Sequence, residues 1–491
     1  MSKKVLAVDY GASSGRGILA ELDNGRMTLT ELARFDNTPV RLGGRLYWDI
    51  FRLYHDLKRC LSAARDYDIE SVAIDTWGVD FAVVSESGEL AASPVHYRDE
   101  RTAGMIERLT EKGMSRERLY ELTGIEIMEI NTLFQLMSLM GSKDNRIKPS
   151  DELLFMPDYL NFLLCGKRST EPCIASTSQL LDARTKQWSG EIITAAGLEG
   201  LRQPEVTPSG TVLGELLPEL CSELGVKGCR VISGCGHDTQ CAVAAVPAEE
   251  KDFIFISTGT WCLIGTELDE PIIDCRTKQY NLSNETGFGG KTTMLKNIVG
   301  LWLIQQCRQQ WADEGKKYSY AELEELAKAA PAFGCLIDPS APVFVGEGNM
   351  PGRIKDYLKE SGQPVPDNEG GFIRCIYESL AFRFRAVKEE IESVTGKSYG
   401  RIYMLGGGVR DKTLAQFTAN ACGCEVVCGP VEATSFGNAA VQFIANGDIA
   451  DLSEARAVIR SSITPAVFTP QEGKVWDAAF ERFRKLSDKE K

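Results

Sequence analysis

The chain has 491 residues, with 55 Lys+Arg against 69 Asp+Glu and a formal net charge of −14; at roughly 100–200 residues per domain this predicts two to four domains. A hydrophobic share of 43% and a charged share of 25% exclude a disordered or collagen-like chain. The acidic balance argues against a nucleic-acid backbone or an anionic membrane as main partner, but leaves a phosphate ligand open, because backbone N–H groups and a metal supply local positive potential.

No run approaches the ~20 apolar residues needed to cross a bilayer. After Lys3 and Lys4 the apolar run Val5 to Val8 stops at Asp9, too short for a signal peptide. A cytoplasmic protein is expected. Val5 to Val8 reads as a strand entering the turn Gly11-Ala12-Ser13, and Gly17 to Leu22 as a second strand. Ile50 to Arg65 reads as a helix with Phe51, Tyr54, Leu57, Leu61 and Ala64 on its apolar face. Ser71 to Asp75 and Asp80 to Ser85 read as short strands around Trp77-Gly78, and residues 101–165 as mostly helical. Val231 to Ser233 is strand-like, and a small-residue helix is expected over Thr239 to Val246.

A linker is expected near Pro247 to Lys251. Beyond it, Phe253 to Trp261 repeats the strand–glycine–strand pattern of the first residues: Asp9 aligns with Ser257 and Gly11 with Gly259, both at an offset of 248. This predicts a duplicated α/β unit. Asn297 to Asp313 and Phe372 to Val394 are predicted helical, Arg401 to Leu405 a strand opening onto Gly406-Gly407-Gly408, and a further helix begins near Lys412.

Several motifs carry more than one reading. Gly11-Ala12-Ser13-Ser14-Gly15 matches G-x-S-x-G, yet a nucleophile elbow needs a helix after it, and Arg16 to Leu22 is strand-like. A phosphate-binding hairpin, a structural hairpin and a serine hydrolase using Ser13 and His237 are the alternatives. Gly290-Lys291-Thr292 imitates the end of a Walker A loop, but its first glycine falls at Glu285, and the motif fails. Asp238, at a strand end, is either a general base or metal ligand, or an N-cap of the following helix. Asp75 to Phe81 combines acid, Trp and Gly in a manner suited to a sugar, although turn chemistry alone explains Gly78. The fifteen cysteines contain no C-x-x-C. Cys422, Cys424 and Cys428 read as buried thiols in preference to a zinc site, for want of a fourth ligand.

Eight segments, in order along almost the whole chain, resemble the FGGY family of carbohydrate kinases. They are Asp9 to Arg16, Asp75 to Phe81, Met156 to Tyr159, Gly236 to Thr239, Ser257 to Trp261, Leu295 to Trp302, Gly406 to Gly408 and Gly429 to Thr434. The resemblance implies an α/β fold of two actin-like (ribonuclease H-like) domains with an interdomain cleft. Residues 1–247 would form the sugar-binding domain and residues 248–491 the ATP-binding domain. It implies Asp238 as general base, and Gly78, His237, Asp238, Thr239 and Asn297 as sugar contacts. Ala12, Ser13, Ser14, Gly15 and Arg16, with Thr260, Gln305 and Gly407, would hold ATP, and Asp9 would orient a hydrated Mg²⁺. The Ala-Ser-Ser-Gly-Arg and Thr-Trp-Gly-Val-Asp-Phe forms resemble the branch of the family that phosphorylates the 1-hydroxyl of L-rhamnulose. Kinases of L-fuculose or xylulose share the phosphate motifs, and a non-catalytic ATP-binding sensor would need no Asp238. Sugar and ATP are the expected partners, with no nucleic acid, membrane or obligate protein partner.

Overall fold

In the computed structural model, residues 2–142, 145 and 147–487 are described. Two compact units emerge. One comprises Met1–Glu249, Glu267–Met294 and Ala433–Ile463; the other comprises Glu250–Thr266, Leu295–Glu432 and Thr464–Lys491. Two segments of the second half of the chain therefore pack with the first half.

At the heart of the first unit, Lys3–Tyr10 pairs antiparallel with Ser14–Asp23 and parallel with Ser71–Thr76. Its sheet runs Thr211–Glu215, Arg230–Ser233, Ser71–Thr76, Lys3–Tyr10, Ser14–Asp23, Arg26–Asp36. Val5 to Val8 are wholly buried, as a central strand covered on both faces requires. Helix Ile50–Ala63 begins at Asp49, whose carboxylate accepts from Arg52 N–H at 3.1 Å. Its buried face is Ile50, Leu53, Leu57, Cys60 and Leu61. Phe51, expected on that face, is 81% exposed, whereas Leu57, Leu61 and Ala64 are buried as expected and Tyr54 is half-buried. A Cβ on Gly17 would lie 2.7 Å from Cys60 Sγ, so the missing side chain admits the helix. The 101–165 stretch holds helices Met105–Glu111, Arg116–Thr123, Thr132–Met140 and Met156–Cys165. Its one departure from that reading among the named elements is strand Glu152–Phe155, which pairs with Phe81–Val84.

Helix Ala433–Asn446 crosses helix Asp238–Ala244 at Gly437, where a Cβ would stand 1.7 Å from Cys241 O. That approach lays two buried amides against the sheet. Gln442 Nε2 donates to Leu6 O at 3.0 Å, and Asn438 Nδ2 to Asp75 Oδ2 at 2.6 Å.

The second unit repeats the central pairing. Ile254–Thr258 is antiparallel to Trp261–Leu268 and parallel to Arg401–Leu405, which in turn pairs parallel with Glu425–Cys428. Helix Glu369–Thr395 and helix Gly473–Ser487 share a core of Phe382, Trp476, Phe480 and Phe483. One expectation is corrected here. Asn297 to Val299 end strand Thr292–Val299, and the helix starts only at Trp302, as Trp302–Asp313. The β-branched Thr292, Thr293, Ile298 and Val299 favour the extended chain. Gly300 then makes the turn, pressed so close that a Cβ would meet Cys262 Sγ at 2.4 Å. Among the described residues, no helix is long and apolar enough to cross a membrane.

Candidate active site

In the first unit, three strand ends converge. Asp9, near the end of Lys3–Tyr10, faces Arg16 in the antiparallel register and Asp75 in the parallel one. Arg16 Nε lies 3.4 Å from Asp9 Oδ2. Asp75 is wholly buried; burial and the neighbouring Asp9 charge push its carboxyl well above the usual range, against the hydrogen bond from Asn438. Thr76 N–H donates to Gly236 O at 2.8 Å, which ties the third strand's exit to the second.

That tie sets His237 and Asp238. His237 is the N-cap residue of helix Asp238–Ala244, and Asp238 is its first residue, so the capping position open to Asp238 in the sequence belongs to its neighbour. The Asp238 carboxylate accepts from Thr239 N–H at 2.6 Å, and its side chain remains 30% exposed. Burial raises its pKa, while His237 and the Thr239 N–H pull the other way. His237 Nε2 stands 3.4 Å from Asp238 Oδ1, and Nδ1 stands 3.2 Å from Glu285 Oε2. Burial disfavours the charged ring, yet Glu285, Asp238 and Glu171 outweigh it and hold His237 above the ordinary histidine value. A Cβ on Gly78 would lie 3.3 Å from His237 Nε2, so Gly78 packs against His237, which Asp238 and Thr239 follow in the chain. Trp77 is buried beside them. Asp80 Oδ2 accepts from Trp48 Nε1 at 2.6 Å and Trp77 Nε1 at 2.9 Å, and Gln135 Nε2 donates to Oδ1 at 3.0 Å.

The Gly11–Ser13 turn is pinned from outside: Gly11 N–H donates to Ser14 O, and Asn37 donates to Ser13 O and Gly11 O. Ala12 and Ser13 are exposed at its tip, with Ser14 partly so. Gly15 has a packing reason, since a Cβ there would lie 2.2 Å from the Phe35 ring. Directly after Ser13 the chain enters strand Ser14–Asp23 and no helix, so the elbow geometry of a serine hydrolase is absent.

In the second unit, Thr260 Oγ1 meets Gln305 Oε1 at 3.4 Å. Gly408 folds back on Thr258 so closely that a Cβ on it would lie 2.7 Å from Thr258 Oγ1, whereas a Cβ on Gly407 would meet nothing within 4 Å. Asn297 is half-buried on its strand. Asp411 caps helix Lys412–Cys422 through Leu414 N–H at 2.9 Å. Cys424 and Cys428 are buried free thiols, and burial raises them to about 11 and about 12.

Models of the FGGY family of carbohydrate kinases match residues 4–245 with the N-terminal domain and 254–446 with the C-terminal domain. The chain belongs to this family. It is a sugar kinase, acting on a sugar and ATP. A rhamnulokinase of Bacteroides thetaiotaomicron is 40% identical over 486 residues, 99% of each chain. One from Oceanobacillus iheyensis is 39% identical over 459 residues, 93% of this chain and 96% of the other. The structure of a ligand-bound xylulose kinase from Lactobacillus acidophilus superposes with a TM-score of 0.84 at 17% identity, covering 99% of this chain and 98% of that one. This likeness extends to the fold: α/β, with two actin-like domains.

FGGY kinases generally use a divalent metal. Among the described residues no three His, Cys, Asp or Glu side chains gather as a metal cage. The Asp9 carboxylate is a hard oxygen donor beside the exposed hairpin tip, which suits Mg²⁺, an ion that keeps most of its waters and binds through one or two carboxylates plus phosphate. Two residues of this region carry almost no signal in the sequence. Asn438 shows only as an amide one turn before Gln442 in an apolar helix. Glu285 enters only as the residue that breaks a Walker A match.

Proposed function

We propose that the chain transfers the γ-phosphoryl group of ATP to the 1-hydroxyl of L-rhamnulose, giving L-rhamnulose 1-phosphate and ADP. Asp238 carries this reading: it is a partly exposed carboxylate at a helix start, backed by His237 and Thr239. The names of the relatives that align over nearly the full chain support the sugar.

Phosphoryl transfer needs positioning, charge neutralisation and a base for the attacking hydroxyl. Asp238 takes the hydroxyl proton as the sugar oxygen bonds to the γ-phosphorus and the bond to the ADP oxygen breaks. Gly78, His237 and Thr239 position the sugar, with Asn297 as a further contact. Ala12 to Arg16, Thr260, Gln305 and Gly407 hold ATP, the Arg16 charge facing the phosphates. Asp9 would hold Mg²⁺ through its waters, and the ion would neutralise phosphate charge. Residues 1–247 take the sugar-binding role and residues 248–491 the ATP-binding role.

An ADP-release assay over L-rhamnulose, L-fuculose, D-xylulose and glycerol tests the substrate. The expected result is the highest kcat/KM for L-rhamnulose. A higher value for any other member of the panel reassigns the sugar within the family.

A further inference from the structure

His237 lies between two carboxylates. Nδ1 is 3.2 Å from Glu285 Oε2 and Nε2 is 3.4 Å from Asp238 Oδ1. A neutral imidazole has one N–H and could serve only one of these acceptors; the doubly protonated ring serves both. The Glu285 side is built and buried. Glu285, on strand Ser283–Thr286, is 6% exposed, and its Oε2 accepts from Gln240 Nε2 at 2.8 Å. Gln240 is 1% exposed, and its Oε1 accepts from Thr293 Oγ1 at 2.7 Å. Thr293 thereby turns the amide so that its N–H groups face Glu285. The carboxylate is held by the Gln240 amide, which donates to it, and His237 Nδ1, itself without an aligned hydrogen bond, stands 3.2 Å from the same oxygen.

We propose that Glu285 is a positioning residue for phosphoryl transfer: facing Nδ1, it holds His237 as the doubly protonated ring, and the Nε2–H so directed at Asp238 keeps that carboxylate ionised and oriented. The proposal rests on the reading of Asp238 as the base. The other charged or titratable groups around the pair are Glu171, which acts on His237, and Asp75 and Tyr97, which feel the Asp238 charge. Glu285 influences Asp238 in two opposed ways. Its own charge raises the Asp238 pKa, whereas the His237 charge lowers it, and the His237 effect is the larger. Removing the Glu285 charge therefore weakens Asp238 as an ionised base at neutral pH.

The chain contains three histidines, so imidazole NMR titration of the full-length protein resolves His237 directly, with His237→Asn for assignment. The expected result is a His237 midpoint above the ordinary histidine value, falling in Glu285→Gln. The His96 midpoint, which burial lowers to about 4, should stay where it is. In the same variant the kcat profile should narrow, its acid limb moving up and its alkaline limb moving down. KM for ATP should remain unchanged, and Glu285→Asp should restore part of kcat. A structural anchor for Gln240 predicts otherwise: a lower melting temperature with an unmoved His237 midpoint and unmoved pH limbs, and that outcome overturns the proposal. If Glu285→Gln does not fold, the unmodified protein decides, because a His237 midpoint at or below the ordinary value also overturns it. The NMR readout does not involve turnover. A moved His237 midpoint alongside an active Asp238→Asn enzyme would overturn the base reading, and with it the catalytic part of this proposal, while an unmoved midpoint with an inactive Asp238→Asn enzyme overturns the role of Glu285 alone.

Discussion

The two units use one strand pattern for different electrostatics. In the first, Asp9 sits opposite Asp75 across a parallel strand pair; in the second, Ser257 sits opposite Leu405 at the matching register. The next turn is Thr76-Trp77-Gly78 in one and Gly406-Gly407-Gly408 in the other. Even the tie to the third strand recurs: Thr76 N–H donates to Gly236 O at 2.8 Å and Gly406 N–H to Pro430 O at 3.2 Å. Backbone pairing thus preserves the frame, while the side chains at the strand ends are free to differ. Acids, indoles and a histidine collect in the first unit. Uncharged groups, Ser257, Leu405 and three glycines, stand at the corresponding places in the second.

Asp238→Asn should break this contrast most severely. The amide is near-isosteric but accepts no proton, so kcat should fall by about 10²–10⁴-fold with KM much less affected. The melting temperature should hold, because Asn can still accept from Thr239 N–H. A fall below about tenfold in steady-state kcat, against the loss expected for a missing base, removes Asp238 from the mechanism.

Asp80 offers the next largest effect. Counting from the paired Asp75 and Leu405, its place in the second unit is taken by the exposed Arg410. Burial raises Asp80 from near 3.8 to about 6, against the hydrogen bonds from Trp48, Gln135 and Trp77. The folded state therefore holds a proton that the unfolded chain releases. Stability from this group is fully present below about pH 3.8 and lost as pH rises through about 6, roughly 3 kcal/mol in all. Urea titrations between pH 4 and 7 should show this decline, flattened in Asp80→Asn. Identical slopes for the two proteins would remove the buried acid from the account.

The paired positions Asp9 and Ser257 sharpen the comparison. Chelator should abolish turnover and Mg²⁺ restore it. At limiting Mg²⁺, Asp9→Asn should cost about tenfold or more in rate, roughly 1.4 kcal/mol, and Ser257→Ala clearly less. Equal losses would show that the acidic unit has no special part in metal use. The smallest effects should come from the turns. Gly78→Ala crowds His237 Nε2 at 3.3 Å and should raise KM for the sugar; Gly407→Ala projects into open space and should raise KM for ATP instead. Steady-state kinetics with each substrate varied in turn separate the two, and a crossed pattern would invert the assigned roles.

Much of this frame is legible along the chain. Val5 to Val8 and Phe253 to Ile256 read as buried strands because both faces of a central strand exclude water and leave no alternation. The 248-residue offset then links the two hairpins. Asn297 is the counter-example: Leu295, Ile298, Leu301 and Trp302 have helical spacing, yet the close approach at Gly300 separates strand from helix. Phe51 departs from the buried face although Leu57, Leu61 and Ala64 keep to it, because apolar spacing gives a helix face but not how far the packed elements cover it.

Local order, hairpin turns and the candidacy of Asp238 as base, metal ligand or helix cap follow from the sequence alone, since strand pattern, glycine placement and residue chemistry act over a few positions. Tertiary structure decided the rest. Asn438 reaches Asp75 across 363 residues and Glu285 approaches His237 across 48, pairings that no short-range pattern encodes. They exist because Gly437 lets one helix touch another and because a strand from the second half packs into the first unit. The electrostatics of Asp75, His237 and Asp238 depend on burial and on those distant partners, and burial is a property of the folded chain.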